Sequence, residues 1–206
     1  MQALPHRRRL TTTVLTALVL LAALGTAPLR ADDYPVFEGR VYTQTADDGA
    51  PPQAGYLVSD RDGIPFWTEF RNRGGVYALG YPITQRFEWD GFISQGFQKV
   101  ILQWRPDTGT FDFINIFDHL SEAGYDDGLS ALMVPPSEPF DEIDLDWETI
   151  VDRRLGLLAD SPPLQAAYRG RGDAMRWYGL PTSHVVRYAD LHAIRLQRAV
   201  LQLWLV

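Results

Sequence analysis

Two stretches of this chain follow the same pattern 99 residues apart, and this repetition restricts the fold more than any other feature of the sequence. One reads GYPITQRFEWDGFISQGFQKVILQW from Gly80, and the other reads GLPTSHVVRYADLHAIRLQRAVLQLW from Gly179. The identical pairs include Gly80 with Gly179, Pro82 with Pro181, Gln98 with Gln197, Leu102 with Leu201 and Gln103 with Gln202. A unit of this size is too small to bury its own apolar face, so we expect the two units to fold in company.

The similarity continues upstream, where the copies align at an offset of 98. The matched pairs there are Pro65 with Pro163, Arg71 with Arg169, Arg73 with Arg171 and Gly74 with Gly172. The repeat-like units therefore span 65–109 and 163–204. We expect a single globular domain over 56–206 that contains both units, and two separate modules are the alternative.

Local signals predict short helices and β-hairpins within this domain. Helix signals occur from Pro65 to Phe70, in IFDHLSEAG, from about Asp146 to Leu158 and after Ser161. Strands are expected near 92–104 and 110–115, with the turn RPDTGT between them. An apolar face at helical spacing is formed by Trp147, Ile150, Val151, Leu155 and Leu158. The predicted fold class is α+β, with two helix–turn–strand units joined by this amphipathic helix.

Residues 1–31 have the pattern of a secretory signal peptide. Three consecutive arginines from Arg7 precede an apolar run from Leu10 to about Ala27, and the small-residue exit APLRA follows. This pattern predicts cleavage after Ala31 and a protein that is secreted or associated with the cell envelope. A retained membrane anchor is the alternative, because the run is just long enough to span a bilayer. Both the general and the twin-arginine export routes stay open.

The part that follows the signal peptide is acidic and has no cysteine. Cleavage after residue 31 leaves 175 of 206 residues. The formal net charge moves from −7 to −11, because the charged residues that are removed are four arginines. Since nucleic-acid binding depends on cationic side chains, we expect no nucleic-acid partner and, after cleavage, no membrane partner. Without disulfides, a hydrophobic core must hold the fold. The polar residues 32–55, which include DDGAPP, are predicted to be a flexible N-terminal segment.

The first unit carries the positions of a known repeat pattern. These positions are Gly74, Gly75, Leu79, Gly80, Tyr81, Pro82, Thr84, Gln95, Phe97, Gln98, Trp104, Pro106, Thr108 and Gly109. In this order the segment resembles a divergent LGFP repeat, whereas the second unit keeps only GLPT, Gln197 and the apolar strand. The resemblance implies an exported bacterial protein whose repeats engage the cell envelope. The layout is also similar to a group of exported bacterial proteins with no assigned function.

Residues with catalytic potential form no recognisable constellation. The histidines at positions 6, 119, 184 and 192 lack metal-binding spacing, and no phosphate-binding loop is present, so we expect no metal, no cofactor and no enzyme. The stretch FDEIDLDWE contains Asp141, Glu142, Asp144, Asp146 and Glu148. Acids of this kind favour a helix N-terminus. A small secreted glycoside or cell-wall hydrolase that uses residues 141–148 is the alternative function.

A set of aromatic and glutamine side chains forms the candidate ligand-binding surface. Its members are Tyr81, Trp89, Gln95, Gln98 and Gln103 in the first unit, and Tyr178, Tyr188, Gln197 and Gln202 in the second. Aromatic faces offer stacking area and amides both donate and accept hydrogen bonds, which suits a hydroxyl-rich glycan. We therefore expect a non-catalytic exported envelope protein that binds cell-wall or surface polysaccharide. An extracellular protein-interaction module is a further alternative, and Trp104 fits either the core or the ligand surface.

Overall fold

Short helices and antiparallel strands alternate along the chain. The structure, a computed structural model, describes residues 33–45 and 55–205, so the predicted signal peptide lies outside the described residues. The α-helices are α1 (Phe66–Asn72), α2 (Gly75–Leu79), α3 (Ile116–Glu122), α4 (Asp126–Ala131), α5 (Trp147–Gly156), α6 (Pro162–Gly170) and α7 (Ala174–Tyr178). The strands are β1 (Tyr34–Val36), β2 (Gly39–Tyr42), β3 (Tyr56–Ser59), β4 (Phe87–Trp89), β5 (Phe92–Gly96), β6 (Ile101–Arg105), β7 (Thr110–Phe113), β8 (Val186–Arg187), β9 (Leu191–Arg195) and β10 (Val200–Trp204). The predicted α+β class is confirmed.

The strands form three antiparallel sheets with the orders β1-β2-β3, β4-β5-β6-β7 and β10-β9-β8. The single strand expected near 92–104 is wrong, because the chain turns between β5 and β6. The amide of Phe97 donates to the carbonyl of Val100 over 2.8 Å and closes this turn. Its residues Gln98 and Lys99 carry no Gly or Pro signal, so the sequence gives no local warning of the reversal.

The described part of segment 32–55, predicted to be flexible, contains β1 and β2. Strand β2 pairs with β3, and Tyr42 lies opposite Tyr56. The turn between β1 and β2 places Glu38 at a φ of 53°, just before Gly39. Tyr42 is buried and its ring lies 5.8 Å from the ring of Phe70. These contacts attach the hairpin to the core, so residues 34–42 form paired strands where the sequence predicted a flexible segment.

The two repeat-like units share one order of elements and one backbone conformation at the turn. Helices α1 and α2 followed by β4, β5 and β6 correspond to α6 and α7 followed by β8, β9 and β10. Gly80 has φ 80° and ψ 177°, and Gly179 has φ 73° and ψ −169°. Pro82 bridges to Phe97 and Pro181 bridges to Leu196 in the same antiparallel sense. The turn therefore has the same backbone conformation in both units.

Hydrogen bonds across the turn are also repeated. The Oε1 atom of Gln98 accepts from the amide of Tyr81 over 3.0 Å, and that of Gln197 accepts from the amide of Leu180 over 2.9 Å. A Cβ atom at Gly80 or Gly179 would lie 2.6 Å from the Cβ atom of this glutamine. Each glutamine thus packs against its glycine and accepts a hydrogen bond from the backbone amide of the residue that follows that glycine. These two contacts explain why both the glycine and the glutamine recur.

The register of the duplication differs from the sequence alignment at one place. Phe66 and Phe70 in α1 are buried like Leu164 and Tyr168 in α6, an offset of 98. Gly74, at φ 99°, precedes α2 as Asp173, at φ 56°, precedes α7, an offset of 99. The pairing of Gly74 with Gly172 is therefore wrong, and the extra residue of the second unit lies at the end of its first helix.

Each unit has its own hydrophobic core. The first contains the following buried residues: Tyr42, Val58, Phe66, Phe70, Leu79, Phe97, Val100, Leu102, Phe111 and Phe113. The second contains Leu158, Leu164, Tyr168, Ile194 and Leu196, with Leu155 packed against it. Of the predicted apolar face, Leu155 and Leu158 therefore contact the second core, whereas Trp147 is 63% exposed and departs from it. Trp177 of the second unit packs on Phe113, with ring centroids 5.0 Å apart, and joins the two units.

Candidate functional site

A cleft of about 890 Å³ lies where the two units, the segment between β7 and α3, and the start of α5 meet. Its aromatic lining residues are Trp89, Phe92, Phe113 and Trp147, and its amide-bearing lining residues are Gln103, Asn115 and Gln197. Three of the residues predicted for ligand binding, namely Trp89, Gln103 and Gln197, therefore come together. Concave sites lined by apolar surface with a few placed polar groups are the usual form of a ligand pocket.

Trp89 forms one wall of the cleft at the end of β4. Its ring is half-buried and lies 5.4 Å from the ring of His119 on α3. The Nε2 atom of Gln103 donates to the carbonyl of Trp89 over 3.1 Å and to the Oγ of Ser94 over 3.2 Å. The backbone of Trp89 is thus fixed from β6, and its half-buried side chain lines the cleft.

Gln197 links the turn of the second unit to α3. While its Oε1 holds the amide of Leu180, its Nε2 donates to the Oδ2 of Asp118 over 2.9 Å. Desolvation by burial raises the pKa of Asp118, although the hydrogen bond from Gln197 opposes the change. The amide group of Gln197 is engaged at both ends, so it shapes the cleft wall more than it offers free hydrogen bonds.

Charged side chains of both signs surround these groups. Arg105 on β6 lies 3.3 Å from the carboxylate of Asp112 on β7. The Nε of Arg198 donates to the Oδ1 of Asn115 over 2.7 Å, and burial lowers the pKa of Arg198. Asp173 and other charged residues of the second unit complete the lining. The described lining combines arginines with an equal number of aspartates, namely Arg105, Arg176 and Arg198 with Asp90, Asp112 and Asp173. The cleft therefore favours a polar ligand with little net charge over a polyanion.

Comparison with protein-family models finds no match to this chain, and comparison with curated proteins finds none either. Within residues 33–45 and 55–205, no helix has both the length and the apolar character needed to cross a membrane. The same residues contain no group of three His, Asp or Glu side chains that could hold a metal ion.

The other predicted residues of the first unit lie away from the cleft. Gln95 is completely buried, and its Nε2 donates to the carbonyls of Leu57 (2.9 Å) and Thr84 (3.0 Å). Its prediction as a ligand residue is wrong, because the amide connects β5 to β3 inside the protein. Gln98 is exposed but serves the turn, and Tyr81 packs against the first core with its ring 5.9 Å from that of Tyr42.

In the second unit, Tyr178, Tyr188 and Gln202 are outside the described cleft lining. Tyr178 packs against the second core, with its ring 5.9 Å from that of Tyr168. The amide of Tyr188 donates to the carbonyl of Leu191 over 2.8 Å, the same register in which Trp89 lies opposite Phe92. Tyr188 is half-buried, and desolvation raises its pKa. Trp89 and Tyr188 thus hold equivalent positions, but of the two only Trp89 lines the cleft.

Sequence reasoning misplaced one tryptophan, Trp147, and left a second, Trp104, undecided. Trp147 was expected in the apolar face of its helix, yet it is 63% exposed, and Trp204 at 57% is the next most exposed tryptophan among the described residues. Its position in the first turn of α5, within the acidic stretch 141–148, was the available signal. Trp104, left open between core and ligand, packs against the first core with its ring 5.0 Å from that of Phe111.

The acidic stretch 141–148 stabilises its own surroundings. The Nε and Nη2 atoms of Arg154 donate to the carboxylate of Glu142, over 2.8 and 2.6 Å, and this pairing lowers the pKa of Glu142. Asp146 caps α5 by accepting from the amide of Thr149 over 2.8 Å, which lowers the pKa of Asp146. A general acid requires the opposite shift.

Proposed function

We propose that this chain is an exported envelope protein that binds cell-wall or surface polysaccharide without cleaving it. The cleft between the two units is the proposed binding site. The observation that carries the proposal is the joint lining of the cleft by Trp89, Phe92 and Trp147 with amide-bearing side chains. Rings provide stacking area for the apolar faces of sugars, and neutral polar groups match their hydroxyls.

The mixed charge of the cleft supports a largely neutral ligand. Arg105 and Asp112 pair with each other across the β6–β7 ladder, so neither presents an uncompensated charge. Polysaccharide chains with many hydroxyls and few charges fit such a surface. The acidic surface of the chain as a whole also disfavours phosphate-rich polymers.

The state of the acidic stretch supports binding over hydrolysis. A carboxylate pair for glycoside cleavage needs one member with a raised pKa. Glu142 and Asp146 have lowered pKa values and carboxylates already occupied by Arg154 and Thr149. Glu142 and Asp146 therefore give the hydrolase alternative no support.

The envelope location rests on the sequence of residues 1–31 and on the resemblance of the first unit to an LGFP repeat. The turn from Gly80 to Pro82 has the same backbone conformation and the same antiparallel bridge in the second unit. We infer that both units descend from one envelope-directed repeat. The cleft is then a product of their pairing and not of either unit alone.

Two exposed tryptophans provide the test of this proposal. Trp147 is 63% exposed and lines the cleft, whereas Trp204 is 57% exposed on β10 and lies outside the described cleft lining. We expect Trp147→Ala to lower the amount of protein that sediments with isolated cell walls by several-fold, because a stacking ring contributes about 1 kcal/mol or more. Trp204→Ala should sediment like the wild type. Equal losses for both variants, or no sedimentation of the wild type, would contradict the proposal.

A further inference from the structure

A second pocket lies between the two units, on the other side of Arg198 from the cleft, and we propose that it binds an amphipathic anion. Its volume is about 460 Å³. Among the described residues that line it, Lys99, Arg171 and Arg198 are cations and none is an acid. We infer a ligand with a carboxylate or phosphate head and an aliphatic tail. This site is independent of glycan binding in the cleft.

The cations come from equivalent places in the two units. Lys99 lies in the turn between β5 and β6, and Arg198 lies in the turn between β9 and β10, again 99 residues apart. The Nζ of Lys99 donates to the carbonyl of Tyr77 over 2.8 Å, and the Nη1 of Arg198 donates to the carbonyls of Met175 (3.1 Å) and Arg176 (2.6 Å). The duplication thus brings two cation-bearing turns to one pocket.

Each cation keeps capacity for a ligand. An ammonium has three donors, so the bond from Lys99 to Tyr77 leaves others for an anion. The guanidinium of Arg171 lies over the ring of Trp177, with its central carbon 4.0 Å from the ring centroid. This cation–π contact uses none of the hydrogen-bond donors of Arg171 in a conventional hydrogen bond. Lys99 and Arg171 face a partly enclosed space whose described lining holds no carboxylate, and their charges attract an anion more strongly there than in open water.

Apolar side chains form the remaining walls. Val100 is buried, while Trp177 and Leu201 are half-buried beside the pocket. An inorganic anion would leave this surface in contact with water. A ligand with an aliphatic tail would cover it and gain the free energy of apolar burial. The combination of three cations and apolar walls therefore selects an amphipathic anion over a bare ion.

Calorimetric titration of the full protein with four small probes tests this inference. The probes are octanoate, octyl phosphate, neutral octanol and acetate, which has a head but no long tail. We expect octanoate and octyl phosphate to bind, and octanol and acetate to bind at least about tenfold more weakly, since a charge-assisted hydrogen bond and a buried tail both contribute. The stronger of the two anions identifies the head group as carboxylate or phosphate.

Variants separate the pocket from the general charge of the protein. Lys99→Gln and Arg171→Gln should each weaken octanoate and octyl phosphate binding about tenfold. Arg169→Gln is the matched control, because Arg169 is exposed on α6 and outside the described pocket lining. Equal effects of Arg169→Gln and Arg171→Gln, equal binding of octanol and octanoate, or no binding of either anion would overturn the inference. Sedimentation with cell walls should be unchanged in Lys99→Gln, so this site and the cleft can fail separately.

Discussion

Gly80 and Gly179 occupy the point in each unit where a side chain has no room. At Gly179 the φ of 73° and ψ of −169° belong to a region that glycine alone adopts readily. A Cβ atom there would also lie 2.6 Å from the Cβ of Gln197. We expect Gly179→Ala to lower the free energy of unfolding by roughly 1–3 kcal/mol, measured by urea denaturation.

Gly156 is the control for this substitution, because an added Cβ atom would meet nothing within 4 Å and its backbone is helical. Gly156→Ala is expected to leave stability unchanged or to raise it by up to about 1 kcal/mol. A Gly179→Ala variant as stable as the wild type would show that the turn tolerates a side chain, contrary to the geometry described.

The glutamines show what a sequence can and cannot predict at the scale of a residue. The pattern identified Gln98 and Gln197 as significant, but both hold a backbone amide within their own unit. Gln95 holds the carbonyl of Leu57, which is 38 positions away in the chain. The sequence does not distinguish a glutamine whose amide binds a ligand from a glutamine whose amide binds distant backbone. The partner becomes visible only when the fold brings it close.

At the scale of elements, a buried arginine attaches α3 and α4 to the second sheet. Arg195 on β9 stands where the first unit has Gly96, and its side chain is 1% exposed. It donates to the Oδ1 of Asp126 over 2.6 Å, to the Oγ of Ser121 over 3.3 Å and to the carbonyl of Phe117. Where the first unit has a glycine, the second unit therefore has an arginine that anchors the connecting helices α3 and α4.

Asp126 makes this anchor sensitive to acid. Desolvation acts to raise the pKa of Asp126, but hydrogen bonds from Arg195 and Ser121 outweigh it and the pKa is lowered. A carboxyl whose folded pKa is depressed adds stability that is fully present above its unfolded pKa and is lost as pH falls through the folded value. Its contribution is therefore complete above about pH 4 and disappears in more acidic solution.

Asp126→Asn is expected to lower the free energy of unfolding at pH 7 by roughly 1–3 kcal/mol, because the charge of Arg195 stays buried. The gap between this variant and the wild type should narrow as the pH falls below about 4. Thermal unfolding at several pH values measures both effects. Asp127→Asn, a change at the exposed neighbouring position, should stay within about 0.5 kcal/mol of the wild type at every pH. A gap that does not vary with pH would contradict the role of Asp126.

Element boundaries were predictable where glycine and proline mark them and not elsewhere. The helix start at α6 and the turn at Pro82 carry such signals. The reversal at Gln98 and Lys99 has none, because tertiary contacts and not turn propensity stabilise it. The same holds for β1 and β2, whose attachment depends on the burial of Tyr42 against a helix more than twenty residues later.

At the scale of the whole molecule, the sequence predicted two related units but not how they meet. Trp177 of the second unit packs on Phe113, and the carbonyl of Gln197 accepts from the amide of Phe117 over 3.1 Å. These contacts open the cleft on one side of Arg198 and the cationic pocket on the other. Trp89 therefore lines a ligand site while its equivalent Tyr188 does not. Equivalent positions in a duplicated chain acquire different surroundings once the copies pack asymmetrically.

An NMR titration of the ¹⁵N-labelled protein with a soluble cell-wall oligosaccharide tests the central claim most directly, because it reports position and turnover together. We predict that the indole N–H signals of Trp89 and Trp147 and the side-chain amide signals of Gln103 shift with added ligand. The indole signal of Trp204 should stay in place, and the oligosaccharide should remain intact. Shifts confined to Trp204, the absence of any shift, or the appearance of cleaved sugar would contradict a non-catalytic glycan site in the cleft.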